Sequence, residues 1–322
     1  MSRQDRLKST SRGGTRRGGT RRGGGAVVAL VGPTGSGKSA VALEVAERLG
    51  AEIVALDAFT VYRDMDVGTA KPSSAERARV PHHLVDALSP SEECSVEWFQ
   101  RAGRAAIAAV TERGRVPLLV GGSGLYFRAV VDPLEFPPTD PGVRAALEGR
   151  YSEAPAAAHA ALTAVDPDAA RRIDPENLRR TVRALEVIEL TGRRFSDYRR
   201  GWDGYTSVYP DLRAVGIEVD RAELGERLDA RVDAMLADGW LEEIARLRER
   251  SGGLSATARQ AIGYAELADH LAGEVDIDEA VRRIKARTRR YAHRQQRWFA
   301  ADPRVQWAAA PDAAQLLEDC AR

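Results

Sequence analysis

The sequence predicts an α/β fold, with a parallel sheet that carries helices on both faces and an all-helical subdomain inserted into it. Three short apolar runs, at residues 26–31, 52–56 and 116–120, have the length and composition of buried strands. Helical sequence lies between them, and buried strands that alternate with helices are typical of parallel sheets. Residues 137–209 differ, because they are rich in Ala and Arg and contain no clear buried strand.

The chain is expected to have four parts: residues 1–25, a first core part at 26–136, a helical insert at 137–209 and a second core part at 210–322. The first part holds eight Lys or Arg, one Asp and a repeated GGTRR unit, so we expect a disordered basic tail. That tail is either a solvated extension or a loose contact to nucleic acid. The other parts carry 40 basic and 46 acidic residues, so an RNA would have to be held by local basic patches.

Composition excludes several classes of protein. No run of about 18 apolar residues exists, and no apolar stretch follows the N-terminal charges, which argues against a membrane span or a secretory signal. We therefore expect a cytoplasmic protein. The two cysteines, Cys94 and Cys320, support neither a disulfide framework nor a zinc site. No surplus apolar face is evident, so a monomer is expected.

A glycine-rich turn separates the first strand from a helix predicted at residues 40–49, which ends at Gly50. The turn reads Gly32, Pro33, Thr34, Gly35, Ser36, Gly37, Lys38 and Ser39, the P-loop pattern. Its N–H groups and Lys38 suit phosphate oxygens, and the Ser39 hydroxyl suits Mg²⁺. The fold is therefore expected to be P-loop NTPase-like. The phosphate compound stays open among nucleoside triphosphates, substrates of monophosphate kinases and prenyl diphosphates.

The second and third strands end at Asp57 and at a Gly121–Gly124 turn, at the sheet edge where ligands bind in such folds. A further strand is predicted at residues 212–219, with helices following to the end. One of these helices carries a basic stripe at steps of three and four residues: Arg283, Arg287, Arg290, Arg294 and Arg297. The opposite side of that helix offers Val281, Ile284, Tyr291 and Trp298. No acid occurs from 282 to 297, so we interpret the stripe as an RNA contact unless acids from elsewhere face it.

Five sequence blocks, in this order, resemble the tRNA dimethylallyltransferase family. They are LDAFTVYRDMDVGTAKP at 56–72, PHHLVD at 81–86, VGGSGLYF at 120–127, RRTVRALEV at 179–187 and RQAIGY at 259–264. The resemblance spans about residues 26–300. It implies transfer of a dimethylallyl group from dimethylallyl diphosphate to the exocyclic N6 amine of the adenosine 3′-adjacent to the tRNA anticodon.

The resemblance also implies residue roles. Asp57 would accept the proton of the attacking amine, while Thr34, Lys38, Arg259 and Mg²⁺ on Ser39 would stabilise the departing diphosphate. The target base must leave its stack to reach them. The tRNA anticodon stem-loop would be contacted by Asp57, Ala58, Phe59, Thr60, Ser123, Arg144, Arg179, Arg180, Arg183, Arg283, Arg287, Arg290 and Arg294.

The chain departs from the family around the aspartate. Family members commonly carry serines flanking it and a Gln three residues later, whereas this chain has Ala55, Ala58 and Thr60. Thr60 offers one hydrogen bond to adenine where an amide offers two. Three rival functions remain: a small-molecule kinase, an adenylate isopentenyltransferase acting on free nucleotides, and a non-catalytic RNA-binding protein.

Overall fold

The computed structural model describes residues 26–321, apart from the side chain of Arg200. The tail predicted at residues 1–25 lies outside the described residues. Six parallel strands form one sheet in the order β3-β2-β4-β1-β5-β6. The strands are β1 (Val28–Val31), β2 (Glu52–Ala55), β3 (His82–His83), β4 (Pro117–Gly121), β5 (Arg213–Ile217) and β6 (Val305–Ala308). The three predicted apolar runs form β2, β4 and β1 at the centre, and the P-loop follows β1, so the predicted P-loop NTPase-like fold is confirmed.

Helices cover both faces of the sheet, and those of the core precede and follow a helical insert. The core helices are α1 (Lys38–Leu49), α2 (Ser74–Arg79), α3 (Val96–Glu112) and α4 (Gly124–Val131) before the insert, and α9 (Arg221–Ala237), α10 (Trp240–Arg248), α11 (Tyr264–Leu271), α12 (Ile277–Ala300) and α13 (Ala310–Ala321) after it. The first helix ends as predicted at Gly50, which has left-handed dihedral angles. None of the described helices combines the length and hydrophobicity that crossing a bilayer requires.

Between α4 and β5 the described residues form no strand. They form α5 (Pro141–Tyr151), α6 (Pro155–Val165), α7 (Pro167–Ala170), α8 (Leu178–Thr191) and a 3₁₀ segment at Phe195–Trp202. These helices enclose a small apolar core of their own, which includes Leu162, Ile173 and Ala184. The all-helical insert is therefore a separate packing unit. It connects α4, which follows β4 on one side of β1, to β5 on the other side of β1.

Two strands were not predicted. The expectation that only helices follow β5 is wrong, because β6 pairs with β5 along four residues. Its residues give little apolar signal, since Gln306 lies in the middle of the strand and is exposed. The other strand, β3, has two residues: His83 interacts with Glu52 at 2.7 Å, and His82 contacts the Val80 carbonyl oxygen at 2.8 Å and lines a cavity at this edge of the sheet.

Candidate functional site

A cavity of about 180 Å³ lies at the carboxyl edge of the sheet. The P-loop and the ends of β2 and β4 form its floor, while α9 and α12 close it from above. The residues that line it and bear on function are Thr34, Lys38, Ser39, Asp57, Phe59, Thr60, Gly122, Arg231, Tyr291 and Gln295. This is the edge at which parallel α/β sheets bind ligands.

The P-loop is held under α9 by a close contact. Gly35 has a left-handed φ of 79°, and a Cβ there would lie 2.8 Å from Leu228 Cδ2. Glycine is therefore required both for the backbone turn and for the approach of α9. One helical turn beyond Leu228, on the same face, α9 carries Arg231 into the cavity.

The helix α12 holds the other side of the loop. Gln295, which is buried, accepts a hydrogen bond from the backbone N–H of Thr34 at 2.9 Å. A Cβ on Gly122 would lie 2.5 Å from Gln295 Nε2, so the glycine turn after β4 lets α12 come this close. Thr34 and Ser39 both line the cavity.

Two cationic side chains in the cavity lack an anionic partner. Among the described residues, neither Lys38 nor Arg231 forms an ion pair, and the Lys38 ammonium donates only to the Pro33 carbonyl oxygen at 3.1 Å. Burial and repulsion from Arg231 lower the pKa of Lys38 to about 8, although the negative charge of Asp57 opposes this. Burial also lowers the pKa of Arg231. Two unpaired cations held together in a cavity form a site for a multiply charged anion.

Asp57 follows β2 and faces these cations across the cavity. Its Oδ1 accepts hydrogen bonds from the backbone N–H of Phe59 at 2.8 Å and of Thr60 at 3.4 Å, which fixes the orientation of the carboxylate. None of the described residues donates to Oδ2. One carboxylate oxygen is thus held by the backbone while the other is free to accept a proton from a ligand.

The residues after Asp57 divide into two groups. Phe59 and Thr60 line the cavity, and the buried Thr60 hydroxyl has no hydrogen-bond partner among the described residues. Ala58 is buried in the core and does not line the cavity. Ser123 caps α4, with its hydroxyl accepting from the Tyr126 N–H at 3.5 Å. Of this set, the structure brings only Phe59 and Thr60 to Asp57 at the cavity.

Arg259 is not brought to the cavity. It lies in a 3₁₀ turn at Ala258–Gln260, its side chain is exposed, and its Nε donates to the Leu254 carbonyl oxygen at 2.9 Å. A different guanidinium, that of Arg231, lies in the cavity, and sequence inspection missed it. The amphipathic pattern of α9 predicts that Leu228 and Val232 are buried, but it gives no sign that Arg231 between them reaches a ligand site.

The four arginines predicted in the insert line one cleft: Arg144, Arg179, Arg180 and Arg183. Arg172 and Arg199 line the same cleft. Two of them also support the fold, because the fully buried Glu186 carboxylate pairs with Arg144 and Arg183, each at 2.9 Å. Burial would raise the pKa of Glu186, but hydrogen bonds from Arg183, the Asp140 N–H and Arg144 outweigh it and lower that pKa. Arg179 and Arg180 have no acidic partner in the described part of the chain.

The basic stripe of α12 is partly neutralised by acids, the alternative that the sequence left open. Arg283 pairs with Glu279 at 2.6 Å, and Arg287 pairs with Glu266 of α11. The remaining stripe residues are Arg290, Arg294 and Arg297, which are exposed and without an acidic partner among the described residues. The free positive charge therefore lies towards the C-terminal half of α12.

A second residue that sequence inspection missed is Glu243 of α10. Its carboxylate, 1% exposed, accepts hydrogen bonds from the N–H groups of Asp66 and Val67, each at 2.7 Å, and from the Tyr264 hydroxyl at 2.6 Å. The signal was available, because Glu243 interrupts the apolar stripe of Trp240, Ile244 and Leu247 at helical spacing. This contact fixes the loop that carries Gly68 to the cavity wall.

Comparison with known proteins assigns the chain to a family. A family model described as IPP transferase matches residues 60–302, and one described as isopentenyl transferase matches residues 25–84. The chain belongs to the IPP transferase family. The two matches together span residues 25–302, and they give no support to the rival interpretation as a small-molecule kinase.

Two relatives carry the same name. The chain is 50% identical over 284 residues to a tRNA dimethylallyltransferase of Nocardioides sp. (strain ATCC BAA-499 / JS614), covering 87% of this chain and 90% of that protein. It is 48% identical over 282 residues to a tRNA dimethylallyltransferase of Streptomyces coelicolor, covering 87% and 89%. Similarity therefore extends over nearly the full length of these proteins.

Solved structures agree. The full-length tRNA isopentenylpyrophosphate transferase of Bacillus halodurans superposes with a TM-score of 0.67 at 38% identity, covering 92% of this chain and 95% of that one. A eukaryotic dimethylallyltransferase, studied acting on tRNA, superposes with a TM-score of 0.76 at 28% identity, covering 90% of this chain and 75% of that one. Each of these superpositions covers at least 90% of this chain.

Proposed function

We propose that this protein transfers the dimethylallyl group of dimethylallyl diphosphate to the exocyclic N6 amine of the adenosine 3′-adjacent to the anticodon in tRNA. The observation that carries the proposal is the placement of Asp57 opposite two unpaired cations, Lys38 and Arg231, in one cavity. A reaction that expels diphosphate needs cations at the leaving group and a proton acceptor at the nucleophile, and this cavity holds both. The names of the relatives support the same reaction.

In the proposed reaction the adenine N6 attacks C1 of the dimethylallyl group, and the bond between C1 and the diphosphate oxygen breaks. The bonding electron pair leaves with diphosphate, whose developing charge is stabilised by the P-loop N–H groups, Lys38 and Arg231. The free Oδ2 of Asp57 accepts the N6 proton, while the backbone bonds to Oδ1 hold the carboxylate still. The Thr34 hydroxyl and the unpartnered Thr60 hydroxyl are available to the phosphate and the adenine respectively.

The residues present fit a magnesium ion bound together with the substrate. Ser39, at the start of α1, lines the cavity, and the described residues contain no group of three or more His, Cys, Asp or Glu side chains that would bind a metal alone. Mg²⁺ is commonly held by one or two protein oxygens plus substrate phosphates. We propose that Ser39 supplies such an oxygen, and that the ion adds positive charge at the leaving group when it is bound.

The arginine-lined cleft of the insert favours tRNA over free AMP as the acceptor. Arg179 and Arg180 keep uncompensated charge there, as do Arg290, Arg294 and Arg297 on α12, and a free nucleotide would have no use for either surface. A tRNA substrate also agrees with the cytoplasmic location expected from the sequence. We expect the anticodon stem to contact the insert while its loop reaches the cavity.

Transfer of radiolabelled dimethylallyl from its diphosphate tests the proposal, with unmodified tRNA and AMP as parallel acceptors. We expect label in tRNA, strict dependence on Mg²⁺, and a loss of about 10²- to 10⁴-fold in kcat for Asp57→Asn, which keeps the turn but loses the proton acceptor. The matched control is Asp64→Asn, which alters an exposed carboxylate that pairs with Arg250. Label in AMP alone, ATP hydrolysis without transfer, or full activity in Asp57→Asn would refute the proposal.

A further inference from the structure

A second cleft, of about 710 Å³, lies where the insert meets the core. Half of the residues that line it are aromatic: Phe136, Phe195, Tyr198, Trp202, Tyr205 and Trp298. We call this the aromatic cleft. Its charged lining consists of three arginines and one glutamate, namely Arg128, Arg183, Arg199 and Glu135. The catalytic reaction proposed above uses none of these groups.

The rings at the back of the aromatic cleft are held in place by Arg128. This residue is 5% exposed and donates hydrogen bonds to the carbonyl oxygens of Gly201, Trp202 and Gly204 at 2.6 to 3.1 Å. Its guanidinium lies 5.2 Å from the centre of the Trp202 ring and 4.8 Å from that of Tyr205. Rings already immobilised in this way lose little entropy when a ligand binds against them.

The front of the cleft is formed by Trp298 of α12, which is 41% exposed although the sequence pattern placed it on the apolar side of the helix. It packs over Gly124, where a Cβ would lie only 1.8 Å from Trp298 Cδ1. On α12, Trp298 follows Gln295 of the catalytic cavity by three residues, on the same face and a rise of roughly 4.5 Å. Successive stacked nucleotides of one strand are separated by about 3.4 Å, which is a similar step.

We propose that the aromatic cleft stacks the base of an unpaired nucleotide directly adjacent to the adenosine that enters the catalytic cavity. Every base offers a π face, and aromatic side chains with arginine beside them are a common platform for single-stranded RNA. Each arginine of the cleft pairs with an acid: Arg128 with Asp132, Arg183 with Glu186 and Arg199 with Asp203. The rings therefore carry the proposal, and the three-residue separation of Trp298 from Gln295 of the catalytic cavity favours a neighbouring base as the occupant. The inference rests on the proposed function, because it is the tRNA loop that delivers the neighbouring base.

Fluorescence of anticodon stem-loop RNAs tests the inference. Each RNA carries 2-aminopurine at one loop position next to the target adenosine, and stacking on an indole quenches this base. With the wild-type protein we expect quenching at one of the two positions. The quenching should be weaker with Trp298→Phe and weaker still with Trp298→Leu. In Trp298→Ala the quenching should be lost and the Kd for the stem-loop should rise by about 5- to 100-fold.

Two controls separate stacking from damage to the fold. Leu271→Ala removes an exposed apolar side chain of α11 outside the cleft and should bind as wild type does. An abasic nucleotide at the quenched position removes the same contact from the RNA side, so it should raise the Kd of the wild-type protein by about the same factor as Trp298→Ala does. In Trp298→Ala itself, the abasic nucleotide should raise the Kd little further. Unchanged quenching or an unchanged Kd in Trp298→Ala, with prenyl transfer by the wild type intact, would overturn this inference alone. Failure of the wild type to prenylate the stem-loop would overturn the proposed function and this inference with it.

Discussion

Gln295 Oε1 accepts a hydrogen bond from the Thr34 N–H at 2.9 Å, joining α12 to the P-loop across 261 residues of sequence. Thr34 lies among the backbone groups that are expected to face the diphosphate. The bond therefore connects the shape of the phosphate site to the helix that carries Tyr291 to the cavity and Trp298 to the aromatic cleft.

Replacing Gln295 by Leu should loosen the P-loop. The Thr34 N–H loses its acceptor, and we expect a decrease of about 1–3 kcal/mol in the free energy of unfolding and a several-fold higher KM for the diphosphate substrate. Denaturant titration and initial-rate kinetics measure the two effects. Gln296→Leu is the control on the same helix, because its amide contacts His293 and not the P-loop. Equal effects of the two substitutions would contradict this role for Gln295.

Substitution of Arg231 should weaken diphosphate binding strongly, and substitution of Arg259 should weaken it little. Arg231→Leu removes an unpaired cation from the cavity and should weaken diphosphate binding by about 10- to 100-fold, the value of a hydrogen bond to a charged group. Arg259→Leu should change it less than about threefold, because that side chain is exposed and bonded to the Leu254 carbonyl. Titration calorimetry with diphosphate measures both, and Arg227→Leu on α9 is the control, since Arg227 pairs with Glu223 outside the cavity. A larger loss in Arg259→Leu would restore the role that the sequence suggested.

The pKa of Lys38, lowered to about 8 by burial and by Arg231, predicts a pH dependence of diphosphate affinity. The ammonium is mostly charged at pH 7 and mostly neutral at pH 9, so the KM for the diphosphate substrate should rise by up to about tenfold between them. Lys38→Arg stays charged over this range and should flatten the profile. Arg231→Leu removes the repulsion, so its alkaline limb should move to higher pH. An identical limb in wild type and Lys38→Arg would show that another group titrates.

The same pKa has the opposite consequence for stability. The pKa of Lys38 is about 8 in the folded protein and 10.5 in the unfolded chain, so folding disfavours the charged ammonium. The resulting decrease in the free energy of unfolding is fully present below pH 8 and is lost as the pH rises towards 10.5. Lys38→Met should therefore raise the Tm at pH 7 and have little effect above pH 10. Thermal unfolding of both proteins over this range measures the difference.

Glu243→Gln should destabilise the loop at residues 66–68. Its carboxylate accepts from several donors at once, and an amide would present its own N–H groups to some of them, which we expect to cost about 2–4 kcal/mol of unfolding free energy. The neighbouring Glu242 is exposed, so Glu242→Gln should change stability by less than about 0.5 kcal/mol. Denaturant unfolding compares the two, and a similar small change in both would contradict the account.

Local sequence predicted the parts of the fold that depend on local physics. The P-loop and α1 follow from their glycines and from the apolar periodicity that ends at Gly50. The strand β6 could not be predicted in this way, because only its pairing with β5 makes four residues with an exposed Gln306 into a strand. Short strands at a sheet edge depend on their neighbours for identity.

Only some residues of the cavity could be predicted from the sequence. Asp57 and Lys38 were found because each lies directly at the end of a strand or in a loop with a known pattern. Arg231 was missed because its position depends on how α9 crosses Gly35, which is a tertiary contact with no trace in the spacing of residues along α9. Arg259 was chosen from a resemblance of short blocks, and such blocks do not specify which way a side chain points.

Arg128 ties the exit of the insert to α4, and α4 begins at the glycine turn that forms the cavity wall. A polymer that displaces the insert must therefore strain the same short helix that borders the phosphate site. The two sites thus share one element, α4, and any coupling between them is reciprocal. Whatever factor a bound RNA imposes on the affinity for diphosphate, bound diphosphate must impose on the affinity for RNA.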